Sequence, residues 1–190
     1  MQFFSKKVNR SSHGFTLVET LVAISIFTMS LLGITSILAS SISNTGYAKQ
    51  KILAGYLAQE GIEYVRNMRD TYILYSGTSQ AGWDAFKVEL NPCNSGNGCG
   101  FVKPVAPFDV FVCSSPDQCK LYVNNGGYDT NSGGTDSGFI RKIWMTRADG
   151  SSDVGSDEEV KIFSEVEWTQ GSGNYSIVFS ENLFNWWEFP

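Results

Sequence analysis

The sequence has almost no histidine, and this excludes much of the usual catalytic chemistry. Its one histidine is His13. Ser-His-Asp catalysis, Cys-His catalysis and histidine-bearing metal sites therefore have no candidate after that position. No nucleophile elbow and no phosphate-binding glycine motif is present either. These absences argue against an enzyme.

The chain also lacks a basic patch beyond its first residues. Its formal net charge is -5, and three of its 14 basic residues, Lys6, Lys7 and Arg10, come before residue 14. No stripe or cluster of Lys and Arg follows. Because nucleic acid binding depends on neutralising phosphates, the chain is a poor match for that partner.

One long apolar block, from Phe15 to about Ala39, follows the basic residues. As a helix it is roughly 37 Å long, enough to cross a hydrocarbon core of ~30 Å. The basic residues should stay in the cytoplasm and send the C-terminal side across the membrane. A secretory signal is cut at small residues after its apolar region, and no such site follows this block. We therefore expect either an uncleaved anchor or a cut on the cytoplasmic side of the block.

Glu19 lies near the start of this apolar block. A carboxylate at the centre of a membrane helix costs about 2.5–3.5 kcal/mol, and less near the end. No basic side chain follows until Lys49. One interpretation is that Glu19 reaches the membrane interface. The other is that a cut creates a new α-amine at Phe15, and that Glu19 pairs with this amine in its own chain or in a neighbour.

Gly14-Phe15-Thr16-Leu17-Val18-Glu19, with basic residues before it and an apolar helix after it, resembles the prepilin signal of type IV pilins and type II secretion pseudopilins. The resemblance covers roughly residues 5–40. It implies cleavage after Gly14 by a membrane aspartic peptidase and N-methylation of Phe15. It also implies that Glu19 sets the register with the Phe15 amine of an adjacent subunit during filament assembly. Residues 33–37 lack the proline that many major pilins have in this region.

The pattern beyond the block predicts an α+β fold. Residues 1–14 are the expected leader, 15–39 the transmembrane helix, 40–72 its amphipathic continuation and 73–190 a β-rich head. Apolar residues at steps of three and four predict the helix face that packs on an antiparallel sheet: Ile52, Leu53, Tyr56, Leu57, Tyr64, Val65 and Met68. The helix is expected to end near Asp70 to Tyr72.

Alternation predicts the strands of the head. Phe139–Arg147, Val160–Thr169 and Tyr175–Ser180 form a predicted three-stranded meander, with a turn at residues 170–174 between the last two. Residues 108–112 and 120–123 are predicted to pair as a hairpin.

Four cysteines, Cys93, Cys99, Cys113 and Cys119, all follow the apolar block. On the outer side of a membrane they can oxidise, and three connectivities are possible. We favour Cys93–Cys99 and Cys113–Cys119, because each pair flanks a turn-rich stretch. The alternative is a four-thiolate zinc site, although the gaps within the pairs are wider than in the usual zinc knuckle.

Two loops, residues 124–138 and 148–159, are rich in Gly, Asp and Ser. Either one can offer oxygen ligands to calcium, although neither has the EF-hand spacing. The candidates are Asp149, Asp153, Asp157 and Glu158. A solvated loop without a metal is the favoured interpretation, so we expect no cofactor.

The aromatic tail, residues 182–190, has two interpretations. It is either a lid that closes the core of the head or an exposed patch for another subunit or ligand.

Together these features predict a structural subunit, a minor pilin-like protein of a type IV pilus-like filament. The alternatives are a pseudopilin of a type II secretion or DNA-uptake machine, or a tip adhesin that binds a ligand. The expected partners are other pilin subunits, prepilin peptidase, the inner-membrane assembly platform and, before assembly, membrane lipid. The head is expected outside the cytoplasm, first on the inner membrane and then in a periplasmic or extracellular filament.

Overall fold

The computed structural model describes residues 14–102, 108–147 and 159–186. The chain divides into two compact units, residues 1–46 and 47–190. Helix α1 (Leu17–Tyr75) begins in the first unit and ends in the second.

Residues 14–45, in the first unit, present an exposed and largely apolar helical surface. Every residue from 14 to 45 is exposed, including Phe27 at 63%. The most apolar window of α1 has a mean hydropathy of 2.2, and α1 is the one helix among the described residues that is long and apolar enough to cross a membrane. A surface of this kind is suited to lipid rather than to water.

The hydroxyl groups of this helical segment are also compatible with lipid. Five of them donate to backbone carbonyls three or four residues earlier, at 2.8 to 3.0 Å: Thr20 to Leu17, Ser25 to Leu21, Thr28 to Ser25, Ser30 to Ile26 and Thr35 to Leu32. Polar groups satisfied within the helix itself need no water, so these hydroxyls are compatible with a hydrocarbon environment.

In the second unit, α1 packs on the sheet through a face of mostly small and medium side chains. The buried positions recur at three- and four-residue steps: Ala54, Leu57, Ala58, Gly61, Ile62, Val65, Met68 and Ile73. A Cβ at Gly61 would lie 2.5 Å from Ser164 Oγ, so the helix and the sheet approach closely there.

The predicted packing face was partly wrong. Leu57, Val65 and Met68 are buried, but Ile52 and Tyr56 are 61% and 66% exposed. The sheet contacts the face of α1 that carries its small residues. A prediction based on large apolar residues alone does not identify this face. Helix α1 also runs to Tyr75, beyond its predicted end.

A second helix, α2 (Ser79–Glu89), occupies a region where only strands and loops were predicted. Thr78 caps it, since its hydroxyl accepts from the Ala81 N–H at 3.2 Å. Trp83 and Phe86 are fully buried against the core. The Thr cap followed by apolar residues three apart was a usable signal for this helix.

The described residues form one antiparallel sheet of seven strands: β1 (Cys99–Val102), β2 (Asp109–Val112), β3 (Lys120–Asn124), β4 (Gly127–Asp129), β5 (Thr135–Arg147), β6 (Glu159–Gln170) and β7 (Gly173–Phe184). Strands β5, β6 and β7 are the predicted meander, joined between β6 and β7 by a two-residue turn. The predicted α+β class is confirmed.

The predicted hairpin of residues 108–112 with 120–123 is wrong. Strand β2 pairs with β1, and β3 pairs with β4 and β5. A short 3-10 helix (Pro116–Cys119), capped by Ser115 and Gln118, separates the two segments. The chain therefore does not turn tightly enough there to pair them.

The inner face of the sheet and the helices enclose the core. In β6, every second residue from Val160 to Trp168 is buried. The charged side chain of Arg141 is also buried there, where it donates to Leu57 O at 3.2 Å and to Glu60 Oε2 at 3.0 Å. Burial lowers the pKa of Arg141 and Glu60 opposes this shift. These bonds tie β5 to α1.

The phenol of Tyr64 predicts how stability depends on alkaline pH. Tyr64 stacks on Phe101 and donates to Val102 O at 3.3 Å. Burial, with a smaller contribution from Asp109, raises the pKa of Tyr64 from 10.0 to about 12. The pKa of Tyr64 is higher in the folded than in the unfolded chain, so the neutral phenol favours the folded state. Its contribution to the free energy of unfolding is complete below about pH 10 and is lost as the pH rises through 12.

We therefore expect Tyr64→Phe to flatten the fall in melting temperature above pH 10. The matched control is Tyr75→Phe, because Tyr75 is 89% exposed and buries little of its ring. Thermal melts of the full chain across this pH range make the comparison. An equally steep fall in the Tyr64→Phe variant would contradict the assignment.

Candidate functional site

The candidate site lies where α1 begins. Gly14, Phe15 and Thr16 are not helical, and α1 starts at Leu17. The Thr16 hydroxyl accepts from the Glu19 N–H at 3.2 Å and so caps the helix. Thr followed three residues later by Glu is a capping signal that the sequence analysis missed.

The peptide bond between Gly14 and Phe15 is open to a partner. Phe15 is 81% exposed, and the bond lies outside the helical hydrogen-bond ladder. A Cβ on Gly14 would meet no described atom within 4 Å, and the φ of Gly14 is not in the left-handed region. Nothing in the described part of the fold therefore requires glycine at position 14.

The Glu19 carboxylate lies in the first turn of α1, where the helix dipole favours negative charge. Its side chain is exposed, and it has no ion-pair partner among residues 14–102, 108–147 and 159–186.

The cysteines form two local bonds. The structure joins Cys93 to Cys99 and Cys113 to Cys119, which are the favoured pairs, and no described cysteine is free. In this disulfide-bonded form the sulfurs offer no thiolate to a metal, and the four-thiolate zinc site stays an untested alternative.

The calcium candidates Asp149, Asp153, Asp157 and Glu158 lie outside the described residues. In the part of the chain that the structure describes, no group of three His, Cys, Asp or Glu side chains could hold a metal ion. The calcium hypothesis remains untested.

The first part of the aromatic tail contacts the head. Leu183 is buried, the Ser79 hydroxyl donates to Asn185 Oδ1 at 2.5 Å, and Trp186 Nε1 donates to Asp70 at 3.2 Å. Trp186 is still 47% exposed. Residues 187–190 lie outside the described range, so the lid and the patch both remain hypotheses for them.

Comparison with known proteins agrees with the geometry at the start of α1. Residues 9–41 match the family model described as the prokaryotic N-terminal methylation motif. No curated protein and no solved structure matches the chain. The chain therefore carries the leader signature of type IV pilins and pseudopilins, the substrates of prepilin peptidase.

Proposed function

We propose that the chain is a structural subunit of a type IV pilus-like filament, cut after Gly14 and assembled through α1. The main support for this proposal is the combination of three features at the start of α1. An exposed peptide bond is followed by the Glu19 carboxylate, which has no ion-pair partner within the described parts of the chain, and then by an exposed apolar helix. This arrangement suits an element that moves from lipid into contact with other helices.

The direction of insertion follows from charge. Lys6, Lys7 and Arg10 precede the apolar block, so they remain in the cytoplasm and the unit 47–190 crosses to the other side. The two disulfides support this topology, because such bonds persist in oxidising compartments outside the cytoplasm.

Glu19 gives the assembly step its specificity. Cleavage creates an α-amine at Phe15, and the carboxylate of an adjacent subunit supplies the opposite charge. Each subunit offers one amine and one carboxylate, so the pairing repeats along a filament and fixes the axial step between neighbours. Methylation of the Phe15 amine leaves its charge in place.

The disulfides favour a minor subunit over a major one. Each bond closes a loop with a sequence separation of 6 in the middle of the chain. This pattern differs from that of the major pilins in the resembled family whose disulfide closes a C-terminal loop. The subunit is a structural component of the filament. Its partners are other pilins, the prepilin peptidase and the membrane platform that assembles the filament.

Incorporation into filaments tests the proposal. The full chain, carrying a C-terminal epitope, is produced in a bacterium with a type IV pilus system, and sheared filaments are probed for the epitope. We expect the processed chain in the filament fraction and the uncleavable Gly14→Asp variant only in the membrane.

Gly33→Ala is the matched control for Gly14→Asp. It changes another glycine of the same segment, and its new Cβ meets no described atom within 4 Å. It should assemble as the unmodified chain does. A processed chain that stays wholly in the membrane would contradict a structural role in the filament.

A further inference from the structure

The outer face of the sheet, opposite the packed helices, carries a cleft of about 560 Å³. Its floor is the outward side of β5, with Lys142, Trp144 and Thr146. The two disulfide loops line it as well, through residues 94–98 and 113–116. Each of the two loops is closed by a covalent bond, which restricts its backbone.

A second cleft, of about 570 Å³, continues along the same face. The two clefts share Pro116 and Glu165, and the second extends toward Asn174 and Ser176 at the beginning of β7. An extended ligand can therefore occupy both clefts, with Glu165 at the centre.

Trp144 is the aromatic surface of the first cleft. Its ring stacks on Phe163, directly opposite it on β6, with centroids 5.4 Å apart and planes within 8°. Trp144 lines the cleft and Phe163 does not. The Phe163 ring thus packs on one side of the indole, and Trp144 also lines the cleft; an ordered aromatic side chain loses less entropy on binding.

The Glu165 carboxylate can accept hydrogen bonds from a ligand. It is partly buried and lines both clefts, and it has no hydrogen bond or ion pair to any residue that the structure describes. Lys142 lies opposite it in register, but the Lys142 ammonium contacts Glu167 at 3.0 Å. The shared wall therefore carries a negative charge, which disfavours anionic ligands.

Neutral polar groups at the rim of the first cleft offer both donors and acceptors. Asn97, Ser114 and Thr146 are exposed at the rim of the first cleft. Amide and hydroxyl side chains can donate to and accept from the same ligand hydroxyl groups. A purely apolar partner would leave Glu165 buried without a hydrogen bond, which is costly.

From these observations we propose that the two clefts bind a neutral, β-linked pyranose saccharide. A pyranose with equatorial substituents presents a flat face of C–H groups, which packs on the electron-rich face of an indole. Its hydroxyls donate to the Glu165 carboxylate and exchange hydrogen bonds with the rim. The proposal does not depend on filament assembly, since all of these residues lie within one unit of one chain.

Binding by the full chain in detergent tests the proposal. A polyoxyethylene detergent is needed, because glycoside detergents present sugar headgroups that would compete. Cellohexaose and chitohexaose are titrated by calorimetry, with α-linked maltohexaose and anionic polygalacturonate as comparators. We expect binding of at least one β-linked hexasaccharide, weaker binding of maltohexaose and none of polygalacturonate.

Two variants test whether the saccharide binds in these clefts. Trp144→Leu keeps an apolar contact with Phe163 but removes the ring, and it should weaken binding about tenfold or more. Thr146→Arg fills the cleft from an exposed position, so it serves even if Trp144→Leu folds poorly. Trp186→Leu is the matched control, because it removes a tryptophan that does not line either cleft.

Several results would overturn the proposal. These are no binding of either β-linked probe at millimolar concentration, equal binding of maltohexaose, binding of polygalacturonate, or unchanged binding in both cleft variants. Loss of filament incorporation in Trp144→Leu without any saccharide binding would assign the cleft to a neighbouring subunit instead.

Discussion

Replacing Glu19 with alanine is expected to leave cleavage after Gly14 largely intact and to remove the chain from filaments. The carboxylate is costly in lipid, so its loss makes membrane insertion easier, not harder. In the proposed filament, however, the Phe15 amine of a neighbour would lose its partner. Leaving one member of a buried ion pair uncompensated costs about 3–5 kcal/mol. Because 1.4 kcal/mol is about tenfold in an equilibrium constant, incorporation should fall by about a hundredfold or more.

Ser30→Ala is the matched control for Glu19→Ala. It also removes a polar group from the apolar part of α1, but the Ser30 hydroxyl is already satisfied by Ile26 O at 2.8 Å. Quantitative immunoblots of sheared filaments and of membranes compare the variants. Normal incorporation of the Glu19→Ala chain would count against the pairing of Glu19 with an amine.

Replacing Gly82 with alanine is expected to destabilise the head strongly. Gly82 is buried where α2 passes the end of α1, and a Cβ there would lie 2.6 Å from both Ile73 Cα and Tyr72 O. Both of these atoms belong to the backbone, so no side chain can rotate away. Overpacking of this kind costs about 1–3 kcal/mol, only partly offset by the better helix propensity of alanine.

Gly77→Ala separates this effect from helix propensity and chain entropy. Gly77 is exposed, and its added Cβ would meet no described atom within 4 Å. Its melting temperature should be unchanged or slightly higher. For a unit of this size, the Gly82→Ala change should lower the melting temperature by several degrees, on the order of 3 °C per kcal/mol. Equal melting temperatures for the two variants would mean that the helices do not meet closely at Gly82.

The N-terminal features were predictable because they depend on local sequence. The apolar block, the basic residues before it and the order Gly14, Phe15, Glu19 all lie within one continuous stretch. The meander of β5, β6 and β7 was predictable for a similar reason, since alternation and a short turn specify neighbouring antiparallel strands.

The errors in the head arise from long-range packing. Strand β2 pairs with β1, a strand that was not predicted. Strand β3 pairs with β5, which is not the next strand in sequence, so this part of the strand order depends on packing across the whole core. The packing face of α1 was misplaced because Gly61 permits close contact with Ser164, which outweighs the larger Ile52 and Tyr56.

The outer clefts could not be predicted from the sequence for the same reason. Alternation in β5 could have placed Trp144 on the face opposite Ile143 and Met145, and that signal was available. The pairing of Trp144 with Phe163, and the arrival of both disulfide loops over the same strand, depend on strand register and topology.

The most direct test of the central claim is the mass and sequence of the N-terminus of the mature protein. The full chain is produced together with a prepilin peptidase, purified from membranes and examined by mass spectrometry of its N-terminal peptide. The account predicts a chain that begins at Phe15 with a methylated α-amine. A chain that retains residue 1, or one cut beyond Ala39, would contradict it.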